Sequence, residues 1–216
     1  MKILSNATLT DELFDIHDSC LKSELGGIIV CGSSTLNHDS QIRDVDYIVI
    51  IKKSNSEILQ KLATIRENLS KEYNIQFSNT IGLKEDVENI KYNYKNMDGK
   101  LVQAIIELTP QNTRLHNVNI SKLNEKEIKL FSVHNYYQLK LLLNKLLIRQ
   151  TKNLRNDEKL KILKVARIAL KMMHQSGIVT KHSTIIKQEI DESLQEVNDK
   201  SVNDIYTTAS KTINLM

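Results

Sequence analysis

Two periodicities of apolar residues divide this chain. In its first half, short apolar runs of the kind that make strands are interleaved with stripes spaced three and four residues apart, as in helices. Beyond about residue 125 the helical spacing continues alone. Thr8 and Asp11 resemble a capping box, and Leu13, Ile16, Cys20 and Leu21 follow at helical spacing. They predict a helix over about 9–24, ended by Gly26-Gly27. Ile28 to Cys31 and Tyr47 to Ile51 predict strands at about 27–31 and 45–52. Ser54 and Glu57 form a second capping-box pattern ahead of Ile58, Leu62, Ile65 and Leu69, a helix to about Tyr73. Ile75 and Phe77 predict a short strand, and residues 83–90 fit one helical turn or more. Tyr92 and Tyr94, the pair Asp98-Gly99 and the run Leu101 to Leu108 predict a hairpin. Its returning strand would carry Glu107 on the face of Leu101, Gln103 and Ile105.

After Pro110 the character changes. Residues 111–125 are polar and irregular, which places a boundary between a lobe of residues 1–115 and one of residues 116–216. Ser132 is expected to cap a leucine-rich helix of about 133–152, whose stripe of Leu139, Leu142, Leu143, Leu146 and Leu147 reads as core. Asn156, with Asp157 and Glu158 in the first turn, starts another that runs to about Gln175 and stops at Gly177. Ser183 and Ser201 begin two more. The expected fold class is therefore α+β: a mixed sheet with flanking helices, followed by an all-helical C-terminal lobe.

Composition changes this picture only in part. With 40% hydrophobic and 26% charged residues, the chain has the make-up of a soluble globular protein. Residues 1–9 lack the apolar core of a signal peptide, and the apolar run at 139–148 is broken by charge and too short to span a bilayer, so a cytoplasmic protein is expected. Cys20 and Cys31 have neither redox nor zinc-site spacing, which fits reduced thiols. The net charge is only +4, yet residues 138–181 hold eleven Lys or Arg against Asp157 and Glu158 alone. Such a block suits a polyanion, a triphosphate or a nucleic acid, or else a solvated helix surface.

The chemistry gathers at Gly32 to Asp46. An apolar run leads into Gly32-Ser33-Ser34, a polar loop follows, and Asp44 and Asp46 open the next apolar run. Alternation along a strand puts both carboxylates on one face, where they repel unless a cation lies between them or one takes a proton. Glu107, set among apolar residues, is the third acid that calls for a partner. Three acids on two strands could hold two Mg²⁺ ions.

Gly32-Ser33, Asp44-Val45-Asp46 and a later apolar-Glu-apolar segment together resemble the signature of the DNA polymerase beta-like nucleotidyltransferase superfamily. The resemblance covers about 15 residues plus Glu107. It implies transfer of a nucleoside monophosphate from an NTP to an acceptor hydroxyl, with release of pyrophosphate and help from two Mg²⁺ ions, or Mn²⁺ in their place. Asp44, Asp46 and Glu107 would be the catalytic and metal-binding acids, and Gly32, Ser33 and Ser34 the cradle of the triphosphate. Arg43 stands where many members have Ser, and it would touch phosphate or face solvent; one or two cations of the helical lobe, Lys145 and Arg149 among them, would reach the β- and γ-phosphates. The basic lobe favours an RNA 3′ end as acceptor; a small hydroxylated molecule or a protein side chain also fits. One rival reading is a non-catalytic nucleotide- or RNA-binding module of the same fold, or an antitoxin-like partner. Another rests on Arg167 and His174, which resemble the Arg-x(4–6)-His motif of HEPN ribonucleases.

Overall fold

The computed structural model describes residues 8–32, 44–148 and 154–215. They divide, between Lys122 and Leu123, into two compact units. The first is built on a four-stranded mixed sheet. In chain order it has α1 (Leu9–Leu21), β1 (Leu25–Cys31), β2 (Asp44–Ile51), α2 (Ser56–Tyr73), β3 (Gln76–Leu83), α3 (Lys84–Glu88), α4 (Ile90–Asn93), α5 (Gly99–Ile106) and β4 (Thr113–Leu115). The strand order is β3-β2-β1-β4; β1 runs antiparallel to β2 and β4, and β2 runs parallel to β3.

The alternation along β2 sorts the core. Val45, Tyr47, Val49 and Ile51 join Ile28 and Val30 of β1 against Leu9, Leu13 and Phe14 of α1 and Ile58, Leu62, Ile65 and Leu69 of α2. Ile48 and Ile50 point to the opposite face and are also fully buried. There α3 and α5 cover the sheet: a Cβ added to Gly82 would lie 3.2 Å from Leu101 and 3.4 Å from Val87.

Several local expectations fail for identifiable reasons. Gly26 and Gly27 do not stop α1, which ends at Leu21 before a 3₁₀ turn, Lys22–Glu24; both glycines lie inside β1. They are there for close approach, since a Cβ on Gly27 would stand 2.8 Å from the Arg114 carbonyl oxygen of β4. The cap of α2 is Asn55, whose side chain accepts from the Ile58 N–H, and not Ser54. Thr8 hydrogen-bonds the Glu12 carboxylate in place of a capping-box contact. The strand expected at Ile75 and Phe77 extends through eight residues to Leu83.

The hairpin at 92–108 is the largest correction. These residues form α4 and α5, and Asp98 is the N-cap of α5, accepting from the Lys100 N–H at 2.8 Å, where a hairpin turn had been expected. Read at period 3.6, Leu101, Val102, Ala104 and Ile105 make one buried face. Glu107 is therefore the C-cap residue of a helix and not a strand residue.

The second unit is helical: α6 (Glu125–Ile148), α7 (Asn156–Gln175), α8 (Lys181–Gln195) and α9 (Val202–Ile213). Its own core joins Leu143, Leu147, Leu163, Ala166, Leu170, Met173, Ile186, Ile190 and Ile205. Asn124 caps α6 through a reciprocal pair with Glu127, so the helix starts well before Ser132, which is buried within it. Of the leucine stripe, Leu143 and Leu147 are core, while Leu142 is exposed. The start of α7 at Asn156 and its stop at Gly177 (φ +89°) agree with expectation, as does the Ser201 cap of α9. Thr180 caps α8, with Ser183 at the third helical position returning the bond.

Candidate active site

The strand ends converge on one edge of the first unit. β1 finishes at Cys31, and Gly32 turns away with φ +78°, a left-handed conformation that side chains resist. β2 begins with Asp44, and Asp46 pairs in register with Cys31 on one side and Ser78 of β3 on the other. The Gly32 Cβ direction points at Asp46, 3.5 Å from its Oδ2. Asp44 and Asp46 are both half-buried and alternate with the buried Val45 and Tyr47, so they lie on the face covered by α5.

Neither strand neighbour of Asp46 is an acid, so a third carboxylate has to come from outside the sheet. Helix α5 supplies it. Lys100, Gln103 and Glu107 lie at i, i+3 and i+7, on one side of that helix. The Lys100 Nζ donates to Asp46 Oδ1 at 2.7 Å, and Gln103 Nε2 donates to Glu107 Oε1 at 3.2 Å. The segment after Glu107 is tied down as well. Asn112 Nδ2 reaches the Glu107 carbonyl at 3.5 Å, Asn112 Oδ1 takes the Thr109 N–H, and the Val30 N–H of β1 donates to the Asn112 carbonyl. Cys31 reports the same proximity. Burial pushes its thiol up to about 12; the charge of Lys100 pulls the other way, and those of Asp46 and Glu107 add to the rise.

Asp44 and Asp46 open β2, the strand that the sequence predicts there; Glu107 alone changes scaffold, from a strand to the end of α5, and Lys100, Gln103 and Cys31 were missed. The signal for Lys100 was present: an Asp N-cap followed by Lys, Gln and Glu at helical spacing, read instead as a Asp-Gly turn. Among the described residues, no three His, Cys, Asp or Glu side chains are gathered closely enough to hold a metal ion. What fits a divalent ion is the pair Asp44 and Asp46. Hard carboxylates suit Mg²⁺, which takes one or two protein acids and fills its other positions with substrate phosphate and water.

The remaining candidates are dispersed. Ser33, Ser34, Arg43 and Arg149 lie outside the described residues, as do His38, Asp39 and Lys152. Lys145 is exposed on α6 of the second unit. Within that unit the basic stretch meets acids that follow it in sequence: Arg167 Nε pairs with Asp191 Oδ1 at 2.8 Å. His174 shares a 2.9 Å hydrogen bond with Ser183 Oγ, and burial, with the charge of Lys187, holds it below its ordinary pKa. Arg167 and His174 are thus each engaged in holding α8 to α7.

No protein-family model matches the chain, and no curated protein sequence does. A solved structure does. The fold is similar to that of spectinomycin adenyltransferase AAD(9) from Enterococcus faecialis, determined with ATP and spectinomycin, with a TM-score of 0.55 over 98% of this chain and 99% of that one, at 13% identity. The chain therefore shares the fold of that adenyltransferase along the length of both chains, here a mixed-sheet unit followed by a helical unit.

Proposed function

We propose that the protein is a nucleotidyltransferase that moves a nucleoside monophosphate from an NTP to an acceptor hydroxyl. The observation that carries this reading is the pair Asp44 and Asp46 opening β2 beside the Gly32 turn, in a chain whose fold matches an adenyltransferase from end to end. Asp44 and Asp46 would hold Mg²⁺, which when bound spreads the charge of the transferred group and the departing pyrophosphate. Glu107, kept in place by Gln103 and by the Asn112-anchored segment, takes the proton of the acceptor hydroxyl. The acceptor oxygen then bonds to the α-phosphorus as the bond to the β-phosphate oxygen breaks, and pyrophosphate leaves. Gly32 opens the turn whose backbone N–H groups would face the triphosphate, with Ser33, Ser34 and Arg43 following it.

The acceptor we favour is a small hydroxylated molecule. The similar adenyltransferase is named for such an acceptor and spans the same two-part chain. Part of the basic stretch, by contrast, is engaged within its own unit: Arg167 with Asp191, and Lys159 with the Lys200 carbonyl. An RNA 3′ end is the second reading, supported by the remaining positive charge over 138–181. Incubation with each α-labelled NTP, Mg²⁺ and either aminocyclitol and aminoglycoside acceptors or total RNA separates the two. Label should pass to a small molecule, with pyrophosphate released, and Asp44→Ala or Asp46→Ala should abolish transfer while circular dichroism is unchanged. Undiminished pyrophosphate release by the double variant would refute the reading.

A further inference from the structure

Lys100 has no part in the two-aspartate pattern, yet it makes the shortest polar contact described at the site, 2.7 Å from Nζ to Asp46 Oδ1. Its backbone end is fixed. The Lys100 N–H is held by the Asp98 cap, and the next residue, Leu101, packs over Gly82 of β3. Its charged end is not enclosed, since the side chains of Lys100 and Asp46 keep 38% and 35% of their exposure. An ammonium on four flexible carbons is a movable point charge, unlike the fixed fork of arginine. It occupies the carboxylate that the proposed function assigns to a divalent ion.

We propose that Lys100 is a resident counter-cation of Asp46 that a divalent ion must displace, and that the phosphates of the incoming NTP receive the displaced ammonium. The proposal rests on the nucleotidyltransferase reading. Two cations cannot share Asp46 Oδ1 at contact distance without strong repulsion, so the ion and Lys100 exclude each other there. Without nucleotide, displacement costs the ammonium its contact with Asp46 and leaves it to solvent. A triphosphate supplies several anionic oxygens at once. Ion binding is thereby coupled to nucleotide binding: the ion alone is held weakly, and ion and nucleotide are held well together.

The test is direct binding of Mn²⁺, followed by its electron paramagnetic resonance signal, to the full-length protein with and without α,β-methylene-ATP, which cannot be turned over. Lys100→Met should bind Mn²⁺ alone at least ten-fold more tightly than the unaltered protein, and should lose most of the further gain that the nucleotide brings. Lys100→Arg, which keeps a positive charge on Asp46 but in a fixed fork, should leave nucleotide-free Mn²⁺ binding no tighter than in the unaltered protein. In an Asp46→Asn background the effect of Lys100→Met should vanish, as a double-mutant cycle requires of a direct pair. If Lys100→Met leaves nucleotide-free Mn²⁺ affinity unchanged or weaker while Mn²⁺ still binds with the nucleotide, Lys100 does not compete for the site, and the nucleotidyltransferase reading stands without it. If no variant holds Mn²⁺ with or without the nucleotide, both ideas fall together.

Discussion

Glu107 shows how much a single side chain depends on what carries it. At the C-cap of α5, it has Gln103 on one oxygen and its carbonyl tied to Asn112. As the base, it should be the residue whose loss lowers turnover more than binding. Glu107→Gln is expected to reduce kcat by 10²- to 10⁴-fold on the order of general-base effects, with the KM for NTP little changed. A change in KM alone, measured by pyrophosphate release, would remove it from that role. His17 gives a prediction of another kind. It is buried in the first core, with Nδ1 on the Leu13 carbonyl at 2.7 Å and its ring edge-on to Tyr47. Burial lowers its pKa from 6.5 to about 4, against the Leu13 hydrogen bond that raises it. Between those values the unfolded chain binds a proton that the folded chain refuses, so stability falls as pH drops through that window and is level above it. Urea unfolding should show a loss of about 2 kcal/mol from His17 between pH 7 and pH 5. His17→Gln should flatten the slope, and an unchanged slope would exclude His17 as its source.

At the scale of elements, what the sequence disclosed depended on whether one period dominated. The strands β1 and β2, helices α2 and α7 and the cap of α9 were legible because their apolar spacing and end signals agree. Residues 90–108 were not, because Asp98-Gly99 serves equally as a hairpin turn and as a helix cap with its first residue, and eight mostly apolar residues fit either period. The acids themselves were legible as chemistry. Their setting was not, since burial of Leu101, Val102, Ala104 and Ile105 against the sheet decides which way Lys100 and Glu107 face. β4 was unreadable for a different reason: three residues, Thr113–Leu115, carry no period and exist through pairing with β1. That pairing depends on Gly27. Gly27→Ala would set a Cβ 2.7 Å from Leu115 and 2.8 Å from the Arg114 carbonyl oxygen. A stability loss of about 1–3 kcal/mol is expected from such overpacking, read as a lower urea midpoint, together with reduced transfer because the strand that follows Glu107 is displaced. A variant as stable and active as the parent would show that β4 adjusts freely.

For the whole molecule, the two units each close a core of their own, one around the sheet and one among α6 to α9. The segment 123–216 expressed alone should give a helical circular dichroism spectrum and a cooperative thermal transition; a gradual melt would mean that it needs residues 1–122 to fold. Among the described residues no helix is long and apolar enough to cross a membrane. The chain has two thiols, and their surroundings differ: Cys20 is exposed on α1, while Cys31 is half-buried at the end of β1, where burial pushes its ionisation up to about 12. Alkylation requires the thiolate, so iodoacetamide at pH 8 should mark Cys20 within minutes and Cys31 far more slowly. Peptide mass mapping then becomes a clock for the site. The rate at which Cys31 acquires the adduct measures how often the end of β1 beside Asp46 opens, and a bound nucleotide should slow that rate without a radioactive label or a known acceptor.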